Sequence, residues 1–276
     1  MHGFIPPRRF LPYLSWTDVR DLPDKPNTVV IQPIGSVEQH GPHLPAIVDS
    51  AIATAVIGKA LEQLDDAIPA YALPTLCYGK SNEHDRFPST ITLSATTLQA
   101  TLMEVGESLY RSGFRKWAIA NAHGGQPQTL DIIARDLHQQ YEDFAVFPLF
   151  IWNVPNCAAE LLTAKELELG IHAGDAETSL MLAIAPDLVR THRAIAEYPR
   201  HLPADSLLSM EGKLPFAWTT RDLSRSGVLG DATVATRDKG ERMWAALAAG
   251  WVRAIADIHR FEPPRAWQAA QPERPR

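Results

Sequence analysis

Apolar and polar positions along the chain fall into blocks that read as strand, polar loop and helix, several times over. Thr28, Val29, Val30 and Ile31 form a short β-branched apolar run of the kind that makes a buried strand. A polar loop follows, and residues 51–61 then have the alanine-rich composition of a helix, with Asp49 or Ser50 as its N-cap. The pattern predicts a second strand over 67–73, ended by Pro74, and a long polar segment over 77–90. Loops of that length inside a compact domain usually carry function. Ser94 caps a helix over 95–111, where Leu98, Leu102, Val105 and Leu109 recur at helical spacing and Gly113 marks the stop.

A third strand is expected at 116–121, then a helix at 127–141 that opens on Pro127, a tolerated first-turn position. A fourth strand is expected at 144–151 and a helix at 157–169. A polar junction over 170–175 leads into an apolar helix at 176–184. The proline-interrupted stretch 186–231 gives no clear periodicity, and a final helix at 236–259 carries Met243, Leu247, Val252 and Ile255. Ser15 caps a short helical turn near the start. Strands alternating with helices predict an α/β fold, a three-layer α/β/α sandwich with a mostly parallel sheet. It is expected to be one domain over residues 1–261, with a Pro/Arg-rich tail at 262–276 expected to be disordered.

Composition narrows the classes. The chain has 276 residues, 45% hydrophobic and 21% charged, which is ordinary for a globular protein. A net charge of -6 with scattered acids gives no nucleic-acid footprint. Cys77 and Cys157, far apart, make neither a disulfide framework nor a cysteine zinc site. No apolar run approaches the roughly 18 residues that would span a bilayer, and the start lacks the apolar core of a signal peptide. The expected setting is cytoplasmic.

The candidate chemistry clusters at strand ends. Glu38 and His40, two residues apart in extended backbone, point the same way. Asp49 follows at the mouth of the next helix, and its two oxygens are able to bridge two ions. His123 leaves the third strand beside Gly124 and Gly125, and Glu177 lies one turn into the helix that His172, Ala173 and Gly174 introduce. In open α/β sheets ligands bind outside the carboxyl ends of strands, and carboxylates with imidazoles are donors for one or two divalent ions. Taken singly, each has a plainer explanation. Asp49 is explained as an N-cap, His123 as a polar residue bonded to a carbonyl, Glu177 as a solvated helix residue and Gly124–Gly125 as a turn. His43, His84 and Asp175 read equally well as scaffold. The chain has no phosphate-loop spacing and no G-x-S-x-G elbow, and it lacks the basic cluster that a phosphoesterase needs.

A resemblance separates these readings. The segment Ile34-Gly35-Ser36-Val37-Glu38-Gln39-His40-Gly41-Pro42-His43-Leu44-Pro45 with Asp49 resembles the opening motif of the creatininase (creatinine amidohydrolase) family. Further segments fall in the family's order: Tyr78-Gly79-Lys80-Ser81 through His84 to Ile91, Asn121-Ala122-His123-Gly124-Gly125-Gln126, His172-Ala173-Gly174-Asp175-Ala176-Glu177-Thr178-Ser179, and 227–241. The resemblance covers roughly residues 13–258. It implies a creatininase-like fold and hydrolysis of a non-peptide C–N bond, of a cyclic amide or formamide of a small molecule, by a water activated at one or two divalent ions. Zinc is the first expectation, with manganese or iron as alternatives, and a homo-oligomer, often a hexamer, is implied as well. Residue by residue, Glu38, His40, Asp49, His123 and Glu177 match metal ligands. His172 and Glu177 are the catalytic candidates, His172 as the proton shuttle with Asp175 orienting it, and His84, Trp152 and Asp175 are candidates for binding substrate.

The chain also departs from creatininases proper. There the residue two after the strand-end histidine is a metal-binding glutamate preceded by an aromatic, where this chain has Gly124 and Gly125. Creatinine amidohydrolase activity proper thus stands as an alternative, beside a non-catalytic member that serves in binding or assembly. Other branches of the family act on formamides, peptide-derived precursors or inosose-type compounds.

Overall fold

A computed structural model describes residues 2–199 and 206–262. The expectation of a disordered tail falls, apart from Glu262, outside these residues. In chain order the elements are α1 (Trp16–Arg20), β1 (Val29–Ile34), α2 (Val48–Gln63), β2 (Ala70–Ala72), α3 (Ala95–Arg111), β3 (Lys116–Asn121), α4 (Pro127–Gln140) and β4 (Ala145–Phe150). Then come α5 (Ala158–Leu161), α6 (Ala164–Leu169), α7 (Asp175–Ile184), β5 (Ala196–Glu197), α8 (Thr220–Leu223), β6 (Gly230–Asp231) and α9 (Arg237–Arg260).

The main sheet runs β2-β1-β3-β4, with every pairing parallel. Helices cover both faces. One core joins the sheet to α2, α7 and α9 through residues such as Ile52, Met181 and Trp251, and the other joins it to α3 and α4 through Leu102, Leu137 and Trp117. Burial on both faces explains why β1 and β3 read as unbroken runs rather than alternating ones, since all six residues of each are buried. The chain leaves β1 to build β2 on one side, then crosses to build β3 on the other. The carboxyl ends of β1 and β3 therefore flank a topological switch point, the crevice where open α/β sheets bind ligands.

Several boundaries differ from the pattern-based expectation. β1 continues past Ile31 through Gln32 and Pro33. A proline normally argues against a central strand. Here Pro33 faces β2's side beyond that strand's last residue, where its carbonyl accepts from the Leu76 amide at 3.0 Å. β2 is short, beginning at Ala70 after Pro69. The helix expected over 157–169 is two pieces. Thr163 interrupts it by capping α6, its hydroxyl accepting from the Glu166 amide at 3.1 Å. The unreadable stretch contains the two-stranded ribbon of β5 and β6, and Leu229 pairs with His172. Among the described residues no helix is long and apolar enough to cross a membrane.

Candidate metal centre

The loop leaving β1 carries Glu38, Gln39 and His40, all buried. It returns onto the first turn of α2, where Gly35 allows an unusually close approach. A Cβ on Gly35 would stand 2.4 Å from the Ser50 nitrogen. Two hydrogen bonds stitch the junction: Ser36 Oγ donates to Asp49 Oδ2 at 2.6 Å, and Ser50 Oγ donates to the Ser36 carbonyl at 3.0 Å. Asp49 is not the N-cap. That position is Ile47, with no side-chain capping bond, and Asp49 lies inside the first turn with its carboxylate directed at the sheet end. An N-cap explanation therefore does not account for it.

The Asp49 carboxylate joins two donor groups. Its Oδ2 lies 3.1 Å from His123 Nδ1, which is itself 3.2 Å from Glu38 Oε2. Its Oδ1 lies 3.2 Å from His40 Nε2, which is 3.9 Å from Glu177 Oε2. The histidine tautomers are set from behind. His40 Nδ1 donates to the Glu38 carbonyl at 3.1 Å, and His123 Nε2 donates to the Lys80 carbonyl at 2.9 Å. Each ring therefore turns its second nitrogen toward the carboxylates, ready to ligate an ion once that nitrogen is deprotonated, the arrangement that backbone partners give metal-ligating histidines. Glu38 Oε2 is buried and has no hydrogen-bond partner. A buried carboxylate oxygen without a donor is costly unless a cation answers it.

Glu177 arrives from the other side of the crevice. Ala173 takes a left-handed backbone (φ 53°), unusual for a residue with a Cβ, and its amide donates to Glu177 Oε2 at 2.6 Å. The buried Glu166 carboxylate holds this turn by accepting from the Asp175 amide at 2.7 Å, the Tyr198 hydroxyl at 2.7 Å and the Asp231 amide at 3.0 Å. Without a cation, burial and the Asp49 charge push the Glu177 carboxyl up to about 7, against the pull of His40. Burial alone lowers the His40 imidazole, but Asp49, Glu177 and Glu38 outweigh it and raise the group to about 9.

His172 is the middle of a stack of imidazoles. Its ring centroid is 4.2 Å from His40 and 4.3 Å from His84. Its Nε2 donates to the Gln39 carbonyl at 2.7 Å, so the unprotonated Nδ1 faces the site, 3.7 Å from Glu38 Oε1. Burial, reinforced by charge on His40 and His84, keeps it well below the ordinary histidine range. His84 Nδ1 accepts from the Gln39 amide at 2.9 Å, which leaves Nε2 to face Glu38 Oε1 at 3.3 Å. The Gln39 side-chain orientation is itself set by the Gly41 amide, which donates to Oε1 at 2.9 Å.

Glu38, His40, Asp49, His123, Glu177, His172 and His84 thus converge, and among the described residues each three-residue group with donor atoms within 4.8 Å of one another is drawn from this crevice. Neither Asp175 nor Trp152 belongs to these donor groups. Asp175 is buried against Lys239 Nζ at 2.5 Å and Ser179 Oγ at 2.9 Å. Half-buried Trp152 packs against the core cluster that joins the sheet to α2, α7 and α9. Sequence reasoning passed over Gln39 and Ser36, neutral side chains whose only signal was their place inside the Glu38–His40 motif. It also passed over Glu83, whose Oε1 lies 3.3 Å from His123 Nε2.

The family model described as Creatinine amidohydrolase matches residues 12–255. The chain belongs to the creatininase family. The mycofactocin precursor peptide peptidase of Mycolicibacterium smegmatis is 34% identical over 247 residues, covering 86% of this chain and 87% of that protein. The creatinine amidohydrolase of Pseudomonas putida is 31% identical over 272 residues, covering 92% and 97%. Among solved creatininases, a manganese form superposes with a TM-score of 0.73 at 28% identity, over 93% of this chain and 99% of that one. A Zn–Zn type superposes with a TM-score of 0.70 at 28% identity, over 92% and 98%. Membership of the creatininase family makes the chain a hydrolase, and its crevice holds a histidine–carboxylate cluster able to bind a metal ion.

Proposed function

We propose that the crevice is a two-ion site for hydrolysing the amide C–N bond of a small molecule, a cyclic amide or formamide. The observation that carries this reading is the unpartnered, buried Glu38 Oε2, which lies 3.2 Å from the same His123 Nδ1 that meets Asp49, in a donor set that Asp49 divides in two. Glu38, Asp49 and His123 would hold one ion, and His40, Asp49 and Glu177 the other. Oxygen-rich donors with imidazole suit zinc, manganese or iron. When bound, such ions supply a water that ionises near neutral pH and a Lewis acid for the scissile carbonyl.

The chain's own residues then handle the proton. His172, neutral and held by the Gln39 carbonyl, offers Nδ1 to receive it and pass it to the departing nitrogen. His84 Nε2 steadies Glu38, while Gln39 fixes both imidazoles. Creatinine is disfavoured as substrate, because Gly124 and Gly125 stand where creatininases proper carry an aromatic that touches substrate and a metal-binding glutamate. Cleavage within a peptide is a second reading, supported by the mycofactocin precursor peptide peptidase, which at 34% is more similar to this chain than the 31% of the creatinine amidohydrolase.

The test loads purified protein with zinc, manganese or iron and assays lactams, formamides, creatinine and short peptides before and after chelation. Activity that chelator abolishes and metal restores is expected; full activity in metal-free protein would sink the reading. A linked effect concerns protons. His40 must lose a proton with a pKa of about 9 to bind an ion. Metal affinity should therefore rise with pH up to about 9, roughly tenfold per pH unit for each proton displaced. Uptake in weak buffer with a pH indicator checks this, and affinity independent of pH below that range contradicts it.

A further inference from the structure

Glu83 sits in a single 3₁₀ turn, Asn82–His84, of the long loop after β2. Its two oxygens have different surroundings. Oε2 pairs with Lys80 Nζ at 3.0 Å. Oε1 is buried without a hydrogen-bond partner, although it stands 3.3 Å from His123 Nε2. That nitrogen already donates to the Lys80 carbonyl at 2.9 Å, so Glu83 is not the acceptor that orients the His123 ring. Two unpartnered carboxylate oxygens, Glu38 Oε2 and Glu83 Oε1, therefore lie on either side of one imidazole. Glu38, Glu83 and His123 each offer a donor atom within 4.8 Å of the others.

The backbone beside them leaves the space. A Cβ on Gly125 would fall 1.6 Å from Glu83 Oε1 and 2.7 Å from its Cδ. Any side chain at 125 would occupy the volume in which the Glu83 carboxylate lies. The loop after β3 is thus open at the one point where the loop after β2 inserts an acid.

We propose that Glu83 is a further protein donor to the ion held by Glu38, Asp49 and His123, reaching it through the space that Gly125 leaves open. This rests on the two-ion reading above. It gives the long polar loop a function, since the segment that walls the crevice also completes the coordination of one ion. Lys80 holds the free oxygen of Glu83 and sets which one turns inward.

The experiment titrates metal-free wild type, Glu83→Gln and Lys80→Met with Co²⁺, following stoichiometry, affinity and the visible absorption that reports coordination number. In Glu83→Gln one of the two ions should bind at least about tenfold more weakly. Its absorption should also shift and intensify as a ligand is lost. Lys80→Met keeps the donor and the Lys80 carbonyl, so its band should match wild type; Glu83→Ala, with its fold checked by circular dichroism, should repeat the shift. Unchanged affinity and absorption in both Glu83 variants overturn the proposal. Weaker binding with an unchanged band also overturns it, because Glu83 then acts through His123 rather than on the ion. Wild type that binds no Co²⁺ removes the two-ion reading itself, an outcome distinct from the others.

Discussion

Asp49→Ala is expected to leave a folded protein that retains less than one ion per chain and has lost most of its catalytic activity. Both donor groups meet at this carboxylate, Oδ2 lying 3.1 Å from His123 Nδ1 and Oδ1 lying 3.2 Å from His40 Nε2. No other side chain belongs to both groups as described, so one truncation weakens two binding events. The loss in turnover should reach at least the roughly 10²–10³-fold that removing a single preorganised electrostatic group costs. The fold should persist, because Asp49 caps nothing and its neighbours Val48, Ile52 and Val56 remain packed in the core. Elemental analysis per chain and turnover on the best substrate of the panel decide the matter. Two retained ions, or activity within tenfold of wild type, would contradict the bridging role.

Gly35→Ala should damage both stability and the site through a single methyl group. Its Cβ would lie 2.4 Å from the Ser50 nitrogen and 2.6 Å from the Asp49 carbonyl carbon. These are backbone atoms, so no rotamer change relieves the clash and the first turn of α2 must retreat from β1. Overpacking of this kind costs about 1–3 kcal/mol. The retreat also draws Asp49 away from Ser36 Oγ, now 2.6 Å away, and from both imidazoles. A lower urea midpoint at unchanged slope, together with reduced metal content, is the expected pair of results. A variant as stable as wild type and fully metallated would show that the junction yields more easily than its geometry implies.

How far the sequence is legible depends on what each residue had to satisfy. β3 and α3 begin and end where their patterns do, because burial on both sheet faces and the Ser94 cap act locally. The break at Thr163 was hidden for the opposite reason. Its cause is the burial of Glu166 among the Asp175, Tyr198 and Asp231 donors, partners 9, 32 and 65 residues away in sequence. Glu38, His40 and Asp49 were legible as donors through motif and spacing. Asp175 was offered a role by its neighbours in the motif, yet its charge is taken up by Lys239. Glu83 gave no periodic signal, and its position follows from the space at Gly125, which only the folded backbone defines.

Asp49 and Glu177 share a property beyond their donor atoms: each lies in the first turn of a helix, α2 and α7 respectively. The amino-terminal end of a helix carries about half a positive elementary charge. Two such ends converging on the crevice offset about one of the three carboxylate charges of Glu38, Asp49 and Glu177 before any cation arrives. The two divalent ions proposed here would then leave the crevice with an excess of positive potential. An anion entering it, whether hydroxide or the oxygen of a collapsing amide, is drawn by peptide dipoles as well as by the ions, and those dipoles remain fixed through every turnover.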